Sequence, residues 1–205
     1  MSVAAGIRNA GQALPKAQSA LDHAERLHAG QRRRADGAAF IVHPREVASL
    51  LHEAGAPDHL IAAGALHDVI EKTATTASDL RARYGRRIAA LVVAVSEDKH
   101  ITGYAARKAA LGKQVADAGE EALVLFAADK ISKARELRLE QAEPPGERER
   151  SVRAESRGRR LAHYQRCLAL LQERLPDSPL VRQLDAEVKD LLARSHAQPP
   201  LARHL

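Results

Sequence analysis

A single cysteine, Cys167, stands in 205 residues, which excludes an internal disulfide framework and any thiolate-rich metal site. It also points to a reducing compartment. Tryptophan is absent and aromatic residues make up only 2% of the chain, so a core has to be built from Leu, Ala, Val and Ile. Ala and Leu are strong helix formers, and β-branched or aromatic runs are scarce, which favours helices over sheet. The basic patches interleaved with aromatics that a single-strand binder needs are missing, as are recognition-helix and finger patterns, so no nucleic-acid partner is expected. No run of about 18 apolar residues occurs, and "MSVAAGIRNAGQALPKAQ" lacks a continuous apolar segment after a basic start. The expectation is a soluble, cytoplasmic protein without a membrane partner.

What the chain does carry is an excess of positive charge, +6 with a pI near 9.8. Such a balance draws anions of several kinds and does not choose among them. The length suits one sizeable domain.

Apolar and small residues recur at helical spacing from Pro15 to Gly30, with His28 on the last turn and Gly30 suited to follow the helix end. A basic loop, "QRRRADGA", leads to "PREVASLLHEAG", in which Pro44 suits the first helical position and Gly55 the close. Pro57 opens a helix running through Leu60, Ile61, Leu66, Val69 and Ile70. Thr76 and Asp79 have capping-box spacing. "RRIAALVVAVS" reads as a core helix or a strand on periodicity alone, and its helical surroundings favour helix. Further helices are expected over Tyr104 to Ala118 and Glu120 to Leu139. Pro144, Pro145 and Gly146 then break order ahead of a densely charged stretch. Two more amphipathic helices close the chain, the second with Ser178 as N-cap and Pro179 at its first position. The domain layout expected is a helical core over 14–140, a charged loop over 141–158, and C-terminal helices over 159–195 packed on the core.

Chemistry concentrates in "GALHDVIEKTATT", where His67 and Asp68 sit between Leu66 and Val69 in apolar company. A buried polar group without a partner costs several kcal/mol, of order 2–7. A lone His-Asp dipeptide is weak as a motif, but two further polar residues occupy similar contexts. His28 closes the first helix, and Asp129 follows the apolar run "ALVLFAA". Two imidazoles and two carboxylates form a mixed nitrogen and oxygen set suited to Mn²⁺, Fe²⁺ or Zn²⁺. Glu71 lies on the same helix face as His67, four residues on.

The order "H…HD…D", with "HAGQRRRADGAAFIVHPREVASLL", "AAGALHDVIEKTATTASDLRARYGRRIAALVVAVSEDK", "ARK" at 106–108 and "LVLFAADKISKAREL", resembles the HD-domain metal-dependent phosphohydrolases. Within them it is most similar to the alarmone (ppGpp) hydrolases of the Rel/SpoT and Mesh1-like small hydrolase type, which act in the stringent response. The resemblance spans roughly residues 14 to 139, with a looser match in "LAHYQRCLALL". It implies an all-α fold, a single HD-type helical domain with additional C-terminal helices. It implies His28, His67, Asp68 and Asp129 as ligands of a metal, Mn²⁺ in the first place, with Fe²⁺ or Zn²⁺ as alternatives. It gives Glu71 the role of positioning or deprotonating the attacking water. Arg33, Arg34, Lys99, Arg107 and Lys108 are implied on the substrate side, and Lys72 and Lys133, where this chain differs from the family, are expected there too. His43, before Pro44 at a position the family shares, is read as a histidine behind the ligands. His52, His59 and His163 are read as surface residues.

The implied activity is removal of the 3′-pyrophosphate from (p)ppGpp or a related nucleotide, with a phosphorylated nucleotide as substrate and a homodimer as an open possibility. This chain departs from the family's pattern at Lys72, where active relatives carry a second acidic residue. It departs again at Ser132-Lys133, where relatives carry Tyr-Asn or His-Asn, and at Ala39-Phe40-Ile41 in the basic loop. Two alternatives therefore stand: a metal- or nucleotide-binding regulatory domain with little turnover, and a hydrolase of another phosphorylated nucleotide such as NADPH.

Overall fold

The computed structural model describes residues 14–142 and 150–197, and the described residues form helices with one isolated bridge between Arg32 and Ala39. The helices are α1 (Pro15–Leu27), α2 (Val42–Glu53), α3 (Asp58–Leu66), α4 (Val69–Lys72), α5 (Ala77–Tyr84), α6 (Arg86–Val95), α7 (Tyr104–Ala118), α8 (Glu120–Ala142), α9 (Arg150–Arg174) and α10 (Pro179–Ala197). None of them is long and apolar enough to cross a membrane.

Helices α3 and α8 form the centre. Every residue of α3 from Leu60 to Leu66 is buried, as expected of a helix that is apolar all round. It packs against α1, α2, α6 and α8. Helix α8 in turn meets α2, α6, α7, α9 and α10, and buries Leu125, Phe126, Ile131 and Leu137. Burying each large aliphatic side chain contributes roughly 1.5–3 kcal/mol.

Close approach of α2 to α3 depends on Gly64. A Cβ built there would lie 2.5 Å from Leu51 Cδ1 and 3.4 Å from Val47 Cγ1. At the other end of α3, the Asp58 carboxylate accepts the backbone amides of Lys16 and Ala17 at 3.1 and 2.8 Å. One side chain thereby supplies two of the unmet amides at the start of α1 and fixes α1 on α3.

The helix expected to run from Pro57 through Ile70 breaks at His67–Asp68, between α3 and the single turn of α4. Asp68 precedes α4 but gives it no side-chain cap, because its carboxylate points inward. The Thr76–Asp79 capping box forms with both reciprocal bonds, and "RRIAALVVAV" is helical.

Two expectations need correcting. Residues 150–158, assigned to a charged loop, belong to α9, and residues 143–149 of that assignment lie outside the described residues. Dense charge of both signs marks a solvated helix face as readily as a loop. His163, read as a surface histidine, is buried at 4% exposure beneath α7 and α8.

Candidate metal centre

His67 and Asp68 sit at the break between α3 and α4, and Asp129 projects from the middle of α8. The last carbonyls of a helix lack amide partners. One of them, Gly64 O, accepts the Nδ1 proton of His67 at 2.8 Å, leaving Nε2 as a lone pair. His43, on the first turn of α2, is held the same way. Its Nδ1 meets Ser132 Oγ at 2.8 Å, and Ser132 spends its own proton on Glu46 Oε2 at 2.6 Å, so Nδ1 must be the donor.

Two imidazole lone pairs consequently face each other, with His43 Nε2 3.0 Å from His67 Nε2. Asp129 Oδ1 lies 3.3 and 3.5 Å from these nitrogens. Asp68 Oδ2 is 3.6 Å from each. Lone pairs this close repel unless a cation sits between them. A proton between the nitrogens would satisfy those two atoms alone. Asp68 Oδ2 and Asp129 Oδ1 would remain as they are in the structure, buried without a hydrogen-bond donor. A divalent ion suits all four atoms, and the second hydrogen bond of each histidine is the usual means of presenting a ligand nitrogen. His43, His67 and Asp129 each offer an atom within 4.8 Å of the others'.

Charge follows the same geometry. Burial drives the pKa of His43 down to about 4. Burial works against a charged His67 as well, but Asp68 and Asp129 outweigh it and hold that pKa above the ordinary value. Against the effect of burial, Lys133 and the two imidazoles keep Asp68 well below the carboxylate range. Lys130 and Lys133 do the same for Asp129.

The structure brings His67, Asp68 and Asp129 together, as the sequence implied, but joins them to His43 and not to His28. His28 is buried, yet its Nδ1 donates to Gln31 Oε1 at 2.9 Å and its ring lies 4.8 Å from that of Phe40. A signal for His43 existed in the sequence. It shares the buried face of α2 with Val47, Leu50 and Leu51, at offsets of four, seven and eight, where a polar side chain demands a partner.

Beside the cluster lies a cavity of about 600 Å³. Of the residues expected on the substrate side, Arg33, Arg34, Lys72, Lys108 and Lys133 line it, together with Glu71. Lys99 and Arg107 are not among its lining residues. Lys99 Nζ donates to Glu71 O at 3.1 Å, and Arg107 Nε donates to Glu97 Oε2 at 2.6 Å. Lys108 also pairs with Glu97. Arg33 is tied to Asp36 and to Glu136. Glu71 Oε1 accepts the Glu97 amide at 2.7 Å, which fixes the carboxylate at the cavity edge. No ion pair among the described residues links Lys72 to Asp68; its ammonium lies 5.1 Å from the Phe40 ring centre.

Helix α9, in which the resemblance is looser, also contributes to the cavity, through residues that no motif assigns. Arg160, His163 and Tyr164 line the cavity from that helix, and Tyr164 Oη bonds the Lys133 carbonyl at 3.3 Å. Lys130 is given no role by the sequence either; it lines the cavity and donates to Asp129 Oδ2 at 2.6 Å.

The HD domain family model matches residues 20–157, more than half of the chain. The chain belongs to the HD-domain family. Human Mesh1, a guanosine-3′,5′-bis(diphosphate) 3′-pyrophosphohydrolase, is 36% identical over 121 residues, covering 58% of this HD-domain chain and 67% of the human protein. The enzyme of that description from Aquifex aeolicus is 39% identical over 80 residues, covering 39% of the chain and 11% of the bacterial protein. The chain spans only 9–17% of the length of the long bacterial relatives it matches. A solved metazoan ortholog of SpoT superposes with a TM-score of 0.72 at 22% identity, over 88% of this chain and 98% of that one. A crystal structure of a Listeria monocytogenes protein does so with a TM-score of 0.62 at 25% identity, over 74% and 94%. The likeness in fold to the metazoan protein thus covers more of the chain than the stretch in which sequence motifs are dense.

Proposed function

We propose that this HD domain is a divalent-metal-dependent phosphohydrolase that removes the 3′-pyrophosphate from (p)ppGpp or a closely related nucleotide, with Mn²⁺ as its resident metal. One observation carries the reading: two imidazole lone pairs and two donor-less carboxylate oxygens converge beside a basic cavity. The names of the relatives, human Mesh1 among them, supply the reaction and the nucleotide.

His43, His67, Asp68 and Asp129 would hold the metal. When bound, such an ion lowers the pKa of water and polarises a phosphoryl oxygen. Glu71 would take a proton from the attacking water with the oxygen that the Glu97 amide leaves available, a reading supported by its position at the cavity edge. Arg34 and Lys72 would offset the phosphate charge within the cavity, and Lys108 and Lys130 would add to it from their pairs with Glu97 and Asp129. Arg33 is already neutralised by Asp36 and Glu136, so its part is to order the basic loop.

The deciding experiment incubates the purified, metal-stripped chain with Mn²⁺ and a panel of phosphorylated nucleotides. The expected result is release of pyrophosphate from ppGpp with GDP as co-product. No phosphate or pyrophosphate release from any nucleotide in the panel would refute the reading.

A further inference from the structure

Lys133 stands between the ligand cluster and the cavity. It projects one helical turn beyond Asp129 on α8, with Nζ 3.0 Å from Asp129 Oδ1 and 3.8 Å from Asp68 Oδ1. Asp129 Oδ1 is the very oxygen aimed at both imidazoles. The approach is that of an ion pair without hydrogen-bond alignment, since Oδ1 has no donor. Lys133 neutralises the carboxylate and leaves the lone pair unmet.

Lys130 Nζ donates to the other oxygen of Asp129 at 2.6 Å. Two ammonium groups therefore already face the two carboxylates, and an arriving divalent ion meets a site with no net negative charge left to attract it. Lys130 and Lys133 are among the residues that line the cavity, whereas His43, His67, Asp68 and Asp129 lie behind them, each no more than 4% exposed. The Lys133 side chain is itself about a third exposed, at 32%, and lines the cavity.

We propose that Lys133 is a tethered counter-cation that competes with the divalent metal for Asp68 and Asp129, and that an anionic phosphate group in the cavity draws its ammonium away as the metal enters. Metal and phosphate then bind with positive coupling, because each relieves an obstacle to the other. The inference rests on the metal site proposed above and adds to it a way in which metal occupancy follows the presence of anionic ligand.

The test measures Mn²⁺ affinity by calorimetry on the metal-stripped full chain, for the parent, Lys133→Gln and Lys133→Arg, with and without inorganic phosphate. Lys133→Met replaces the glutamine variant if circular dichroism shows that it does not fold. The expected result is at least tenfold tighter Mn²⁺ binding by the neutral variant and none of that gain in the arginine variant, which keeps the charge. Phosphate should tighten Mn²⁺ binding to the parent and leave the neutral variant's affinity unchanged. Equal or weaker affinity in the neutral variant, equal gain in the arginine variant, or indifference of the parent to phosphate overturns the proposal while leaving the metal site standing. Absence of Mn²⁺ binding in every form overturns both.

Discussion

His43 Nε2 and His67 Nε2 face each other across 3.0 Å, with the Nδ1 proton of His43 committed to Ser132 Oγ on α8 and that of His67 to Gly64 O on its own helix. The arrangement distinguishes between the two histidines that lie near the basic loop. His43→Ala should abolish stoichiometric Mn²⁺ binding and lower turnover by at least about 10²-fold, since even partners behind the ligands are worth 10–100-fold. His28→Ala should retain one Mn²⁺ per chain. Metal analysis of the two purified variants checks both statements, and the reverse pattern would restore His28 as a ligand.

Ser132 fixes the tautomer of His43. It is fully buried, accepts from Nδ1 and passes its own proton to Glu46, whose other oxygen takes Arg135 at 2.8 Å. Ser132→Ala should weaken Mn²⁺ affinity by about 10–100-fold while leaving the helical content intact. Ser132→Thr should recover part of the loss. Affinity unchanged in the alanine variant would mean that the hydrogen bond does not orient the ring.

How much of this was legible beforehand depends on whether a residue's partner lies close in sequence. Asp129 announced itself as a carboxylate ending an apolar run, and His67-Asp68 as polar groups amid Leu66, Val69 and Ile70; all three are buried where such residues must be explained. Both helices that carry them were readable from their apolar runs. His28 and His43 were harder to separate. They flank one loop, both are buried, and Phe40 lies against both rings, 4.8 Å from one and 5.9 Å from the other. Only the packing of α2 on α3 decides which reaches the cluster. The break of the helix at His67 has no adjacent proline or glycine to mark it, and the apolar spacing continues across it to Val69 and Ile70. The part played by Arg160, His163 and Tyr164 depends on how α9 docks on α7 and α8, which no local pattern encodes.

Gly64 sets the spacing on which that docking of α2 depends. Gly64→Ala would put a methyl 2.5 Å from Leu51 Cδ1 in a fully buried contact. A loss of about 1–3 kcal/mol is expected, the usual range for overpacking a core. Urea denaturation of the two proteins measures it, and equal midpoints would show that Leu51 gives way freely.

Acid stability should report on His163. Burial, reinforced by Lys130 and Lys108 from α8 and α7 and by Arg166 on its own helix, drives its pKa down to about 3; Asp129 works in the opposite sense, and Tyr104 and Cys167 are its uncharged neighbours. The folded state then holds fewer protons than the unfolded chain between about pH 3 and the ordinary histidine value of roughly 6.5. Stability contributed by the neutral ring is fully present above pH 6.5 and is lost as pH falls through that window. His163→Gln should lose less stability than the parent between pH 6.5 and 4. Parallel stability profiles for the two proteins would place the acid-sensitive group elsewhere.

The most direct measurement is anomalous scattering at the manganese edge from crystals grown with Mn²⁺. A single peak should appear within about 2.0–2.3 Å of His43 Nε2, His67 Nε2 and an oxygen of Asp68 and of Asp129. A peak elsewhere, or none at full Mn²⁺ saturation, would contradict the assignment of these four side chains to one metal ion.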